Sequence, residues 1–305
     1  MAGTDVVSRP STADTALLAV AVLAVSTSGP LIAAIAAPAL AIAFWRCLLG
    51  AGATGAAVFT RGRRELATLR GRPGRLSAAS GVLLAAHFAT WIPSLRFTSV
   101  AASTALVATQ PIWAALIARL RGHHIPQRAW FGIAISLIGV VVLTGIDVSL
   151  DHRALIGDTL ALIGGMLAAA YVSVGERARQ VVPTGPHTLV VYSMAALVLV
   201  GTCLIARAPL TGYSLHDWLL ILALTLLAQL LGHSLINRLL KTVSATVVSL
   251  GILFEMPGAT ILAWIFLGQA LPLSLVPALI LLMVGLFVVV GGLGAKAGLV
   301  EEPPI

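Results

Sequence analysis

Few side chains in this sequence could do chemistry in an apolar setting, and their positions single them out. Glu255 lies about halfway along the apolar stretch from Lys241 to Gly268. A hydrocarbon core of roughly 30 Å takes about 20 helical residues, so this carboxylate falls near midplane, where insertion costs about 3 kcal/mol or more. Such a group must face protein or water. Arg46 lies about seven residues into another apolar stretch, roughly 10 Å deep at 1.5 Å per residue, and needs a partner for the same reason. One reading is a structural ion pair between Arg46 and Glu255. The other is that each meets the opposite charge of a zwitterionic substrate, Arg46 its carboxylate and Glu255 its amine.

Helical spacing groups the remaining candidates. His87 and Trp91 are four apart and share a face, and Gln229, His233 and Asn237 form an i, i+4, i+8 polar stripe among leucines. Polar stripes in lipid turn toward other helices or a wet cavity. For Gln229 and Asn237 the plainer reading is hydrogen bonding between helices, whereas the histidines can also titrate near neutral pH. Ser26-Thr27-Ser28-Gly29-Pro30 interrupts a span with hydroxyls and a helix breaker, making Thr27 a pathway candidate and Pro30 either a hinge or a helix end. Tyr171, near the repeat equivalent of Thr27, and Gln110 complete the set. Pro111 and Pro257 are the matched hinge candidates.

The elements that carry these residues follow from composition. The chain has 305 residues, 59% hydrophobic and 10% charged, with a mean hydropathy of +1.02. That excludes a soluble globular protein and predicts an all-α membrane protein. Ten spans are expected, near residues 15–34, 39–60, 77–96, 98–118, 127–146, 157–175, 187–206, 217–237, 242–267 and 273–293. With the N-terminus inside, 15 of the 19 Lys and Arg residues fall on the cytoplasmic side, three outside, and Arg46 within a span. The positive-inside rule therefore places both termini in the cytoplasm. The first span is expected to be retained rather than cleaved as a signal peptide.

A shift of 146 positions, the distance from Pro111 to Pro257, also lays His87 on His233, Ser103 on Ser249, Gly122 on Gly268, Pro126 on Pro272, Gly139 on Gly285 and Gly145 on Gly291. This coincidence divides the chain into a cytoplasmic segment 1–13, a five-helix unit 14–146, a second unit 157–293 and a cytoplasmic tail 294–305. Five is odd, so the second unit enters the bilayer from the opposite side. Two inverted five-helix repeats are the pattern of secondary transporters, whose site lies at midplane between the repeats. Gly132, Gly139, Gly164, Gly165, Ala168 and Gly285 read as close-packing positions.

Phe44-Trp45-Arg46, Leu95-Arg96-Phe97-Thr98-Ser99-Val100-Ala101 leading to Gln110-Pro111, and Ser244-Ala245-Thr246 leading to Glu255 and Pro257, in this order and doubled, resemble the EamA-type transporters of the drug/metabolite transporter superfamily. The resemblance covers residues 15–293. It implies a bacterial-type inner-membrane exporter of amino acids, other metabolites or toxic compounds, with spans one to four and six to nine around a central cavity and five and ten peripheral. The sequence departs from the family pattern at Glu255-Met256-Pro257, Arg121-Gly122-His123 and Leu267-Gly268-Gln269.

The function expected is secondary transport of a small metabolite by alternating access, with no cofactor, proton coupling open through Glu255, His87 or His233, and the lipid bilayer as environment. A homodimer is compatible with the sequence. A lipid or lipid-linked-sugar flippase is the alternative. An intramembrane enzyme is less favoured, because no His-Glu-x-x-His, Gly-x-Ser-x-Gly or paired aspartates occur in the spans. The basic residues punctuate apolar spans and show no nucleic-acid face. Asp147, Asp151, His152 and Asp158 read as a solvated loop and not a metal site, and Cys47 and Cys203 as apolar fillers.

Overall fold

Residues 10–98, 100–144, 152–267, 271 and 273–293 are described by a computed structural model, and every regular element among them is helical. In chain order these are α1 (Thr12–Ser26), α2 (Ser28–Ala34), α3 (Ala39–Arg61), a 3-10 turn (Arg63–Leu69), α4 (Arg72–Ser94), α5 (Val100–Val107), α6 (Gln110–Leu120), α7 (Gln127–Thr144), α8 (His152–Arg179) and α9 (Thr184–Ile205). They are followed by α10 (Leu215–Leu224), a π-helical stretch (Thr225–His233), α11 (Ser234–Leu239), α12 (Ala245–Ile252), α13 (Glu255–Leu267) and α14 (Leu275–Leu293).

Seven helical stretches among the described residues are long and apolar enough to cross a bilayer: Thr12–Ala34, Ala39–Thr60, Arg72–Ser94, His152–Arg179, Thr184–Ile205, Leu215–Leu239 and Ala245–Leu262. Three shorter apolar helices cover Ala105–Leu120, Gln127–Val142 and Leu275–Val289. The ten expected spans therefore correspond to seven stretches that meet the length requirement unaided and three that are shorter. Three of the spans are interrupted by turn residues. The first breaks at Thr27, the fourth at residues 108–109 and the ninth at 253–254.

Proline accounts for all three breaks. Pro30, Pro111 and Pro257 have no N–H to give the carbonyl four residues back, and those carbonyls belong to Ser26, Val107 and Leu253. Each helix stops within a residue of that carbonyl. Helix starts are coded as directly: the hydroxyl of Ser11 accepts from the Asp14 amide at 3.0 Å, and that of Ser214 accepts from the Asp217 amide at 3.1 Å. Gly122, with φ +87°, ends α6 in the left-handed conformation that a side chain would resist.

The core is largely apolar, but the surface is apolar too and several polar groups are buried. Leu197, Leu204, Phe131 and Phe287 lie on the outside, while Arg46, Gln229, Asn237 and Ser249 are fully buried. Apolar surface costs nothing in hydrocarbon, and polar groups must find partners inside.

Connections gather at two ends. At one, the Ala36 amide donates to Asp217 Oδ1 (2.9 Å), Trp45 Nε1 to the Leu210 carbonyl (2.8 Å) and Thr98 to Asp158 (2.6 Å). At the other, Thr242 donates to Asp14 (3.1 Å) and the Ala245 amide to Glu176 (3.3 Å). Packing partners are also exchanged by the 146-residue shift. The contact of α1 with the π stretch becomes the contact of α8 with α4, while α3 pairs with its own equivalent α9, and α7 with α14.

Glycine sets the α7–α14 distance. A Cβ at Gly285 would lie 2.1 Å from Ser136 Oγ and 2.6 Å from the Gly132 carbonyl, and one at Gly132 would lie 2.6 Å from the Gly285 carbonyl. Gly285→Ala should therefore lower stability by about 1–3 kcal/mol, read as an earlier thermal unfolding transition in detergent. Gly201→Ala, with nothing within 4 Å of its Cβ, should leave the transition unchanged or raise it, since Ala is the better helix former.

Candidate functional site

The three helix breaks converge. A cavity of about 60 Å³ is lined by Val25 and Ser28, which flank the first break, by Val107 and Gln110, which flank the second, and by Ile252 and Glu255, which flank the third. His87 and Trp91 of α4, Ala168, Tyr171 and Val172 of α8, and His233 with Ile236 close the remaining sides. That volume is the space open to the centres of water-sized spheres, several times the roughly 10–15 Å³ that one water needs. None of the lining comes from α7 or α14, the spans that the resemblance placed outside, and none from α3 or α9, two of the eight that it placed around the cavity.

Glu255 is the first residue of α13, immediately after the third break. It lines the cavity, and among the described residues no hydrogen bond or ion pair within 4.0 Å reaches its carboxylate. It is thus neither against acyl chains nor paired with Arg46.

Arg46 is held elsewhere. Its Nε donates to Gln229 Oε1 at 2.8 Å, its Nη1 donates to Ser28 Oγ at 3.2 Å, and the guanidinium lies 4.5 Å over the Phe88 ring. Its Nη2 is buried without a partner. These contacts place Arg46 behind the cavity wall and tie together α2, α3, α4 and the π stretch. A direct Arg46–Glu255 pair, one of the two readings of the sequence, does not form.

His87 donates from Nδ1 to the Gly164 carbonyl at 2.9 Å, because a carbonyl can only accept. Nε2 of the neutral ring is then an acceptor. The ring stacks on Trp91 at 5.5 Å with 5° between planes. His233 meets Phe88 edge-on at 5.6 Å and Tyr171 at 6.3 Å, and its Nδ1, like Trp91 Nε1, is buried without a partner. Tyr171 donates to Asn237 Oδ1 at 2.7 Å, and Gln110 Nε2 donates to Ser249 Oγ at 2.9 Å.

Of the residues expected on the pathway, the structure brings Glu255, His87, Trp91, His233, Tyr171 and Gln110 to one cavity. Four stand outside it. Arg46 and Gln229 hold each other, Asn237 serves Tyr171 and accepts on its carbonyl from Arg179 Nε at 2.7 Å, and Thr27 turns its hydroxyl back to the Ala24 carbonyl at 2.7 Å. The plainer reading of Gln229 and Asn237 as interhelical glue describes their contacts. Ser28 lines the cavity without having been singled out, although it stood in the hydroxyl run before Pro30. Ser249 was signalled only by its repeat coincidence with Ser103, whose hydroxyl meets that of Ser94 at 2.7 Å. Phe88 carried no signal beyond its place beside His87. Asp147, Asp151, Gly268 and Gln269 lie outside the described residues.

Comparison with known proteins adds the following. The profile of the EamA-like transporter family matches residues 15–145 and 155–291. A solved crystal structure, 20% identical, superposes with a TM-score of 0.75 over 92% of this chain and 96% of its own. No curated protein matches by sequence.

Gln229→Leu would leave Arg46 Nε buried and unpaired. Stability in detergent should fall by about 2–3 kcal/mol, seen as an earlier unfolding transition, while Gln229→Glu, which keeps an acceptor, should unfold close to wild type.

Proposed function

The chain belongs to the EamA-like transporter family, and we propose that it is a ten-pass secondary transporter that carries a small metabolite through the cavity by alternating access. Its two halves are antiparallel, both termini are cytoplasmic, and the membrane is of the bacterial inner-membrane type. The observation that carries this reading is the meeting of three broken helices at one cavity containing a lone carboxylate. Discontinuous helices whose ends face a midplane site are how transporters expose backbone and charge to a substrate without exposing them to lipid.

Two further features support it. The connections alternate between the two ends of the molecule, as they must if each of the ten segments crosses. Exchange of packing partners under the repeat shift is what a two-fold axis between halves produces. With the cytoplasmic assignment from charge, the end built from Asp14, Glu176, Thr242 and Ala245 faces the cytoplasm, and the end built from Ala36, Trp45, Leu210 and Asp217 faces outward. Export is the direction carried over from the resemblance, and a proton gradient acting through Glu255, His87 or His233 is the coupling to be tested.

The cross-end contacts supply the experiment. In a background with Cys47 and Cys203 replaced by Ala, one cysteine pair at positions 36 and 217 and another at positions 14 and 242 should each form a disulfide that pins one end. Efflux from reconstituted vesicles, assayed over a metabolite panel with and without a pH gradient, should stop in both and return on reduction. Flux that persists with both ends cross-linked would overturn alternating access. Movement of a labelled lipid with no solute flux would establish the flippase reading in its place.

A further inference from the structure

We infer that the cavity selects an organic ammonium ion, an amine with an apolar or aromatic body and no carboxylate, over a zwitterionic amino acid. This names the substrate class of the site above and rests on the carrier reading. The inference comes from which polar groups the cavity offers and which it does not. A zwitterion needs a cationic or multiple-donor pocket for its carboxylate. Arg46 is not in the lining, its Nε and Nη1 are already used by Gln229 and Ser28, its face is covered by Phe88, and its Nη2 is buried. Tyr171 spends its hydroxyl proton on Asn237, and Gln110 spends an amide proton on Ser249.

The donors left in the lining, the second amide proton of Gln110 and the Trp91 Nε1–H, are neutral and single, whereas the one carboxylate there accepts. Glu255 has two carboxylate oxygens without a partner at the start of α13, and His87, its Nδ1 committed to the Gly164 carbonyl, presents Nε2. An ammonium group brings donors and a positive charge, the complement of both. The stacked His87–Trp91 pair and Tyr171 supply aromatic surface that favours a cation and its organic body. Inorganic ions fit poorly. A hard cation takes six to eight oxygen ligands, and His87, His233 and Glu255 do not approach closely enough to share a metal among the described residues.

The matched probes are tyramine and tyrosine, which differ by one carboxylate. Two measurements on the purified full chain separate the substrate inference from the carrier reading: ligand-induced stabilisation against thermal unfolding in detergent, and saturable uptake of each labelled probe into proteoliposomes. Tyramine should bind and move about ten- to a hundredfold better than tyrosine, the worth of a charge-assisted hydrogen bond gained against a carboxylate left unpaired. Glu255→Gln, nearly isosteric, should erase that preference while unfolding at the wild-type temperature, and Glu255→Asp should restore part of it. Should Glu255→Gln fail to fold, the tyramine-to-tyrosine ratio in wild type decides alone. Stabilisation by tyramine without uptake supports the ammonium site and overturns the carrier reading. Tyrosine binding as tightly as tyramine, or a preference that survives Glu255→Gln, overturns the ammonium inference whatever the flux.

Discussion

A guanidinium buried at the depth of hydrocarbon must be given fixed partners, and the way Arg46 receives them decides what the rest of the interior can do. A charge left unsatisfied in such a medium costs several kcal/mol. Here a glutamine, a serine hydroxyl and a phenylalanine face share it, so no acidic partner is consumed. The four elements they come from are locked around one point. Glu255 is thereby left on the cavity wall without a direct partner, and the charge of Arg46 reaches it only through space.

Proline does the complementary work. Each of the three breaks follows from a missing N–H, and each places residues on either side of the gap in contact with the same cavity. The breaks are also where the chain can bend at lower cost, since each proline removes one of the helix hydrogen bonds that would resist bending. Close packing elsewhere gives these bends something rigid to act against. Gly232 and Gly251 let the π stretch and α12 approach α1 to where a Cβ would meet Val25 or Leu18 at 2.6 Å, and the Gly132–Gly285 contact joins the two helices outside the cavity.

Much of this could be read from the sequence, for reasons particular to each feature. Repeat-related prolines were legible because the N–H that proline lacks is a local property, readable without knowing any tertiary contact. Glu255, His87, Trp91 and His233 were legible because polar side chains in apolar helices have nowhere else to face. The partner of Arg46 was not, although both it and Gln229 had been noticed. They are 183 positions apart, and no periodicity links a side chain on one helix to its partner on another. The π stretch, which rotates Gln229 toward Arg46 and His233 toward the cavity, has no residue signature. Helix lengths differed for a simpler reason: α8 runs from His152 to Arg179, longer than its apolar window, because its ends carry charged residues into the interface. Thr27, chosen for its hydroxyl, uses that hydroxyl on its own helix, a local bond that competes with any outward role.

The account stands on Arg46 being a fixed structural cation and Glu255 the free charge of the cavity. An experimental structure determined with tyramine bound tests this most directly. It should show the amine nitrogen within 4 Å of the Glu255 carboxylate, with Arg46 still on Gln229 and Ser28. An Arg46 side chain released from those partners and turned into the cavity, or a ligand seated away from Glu255, would contradict it.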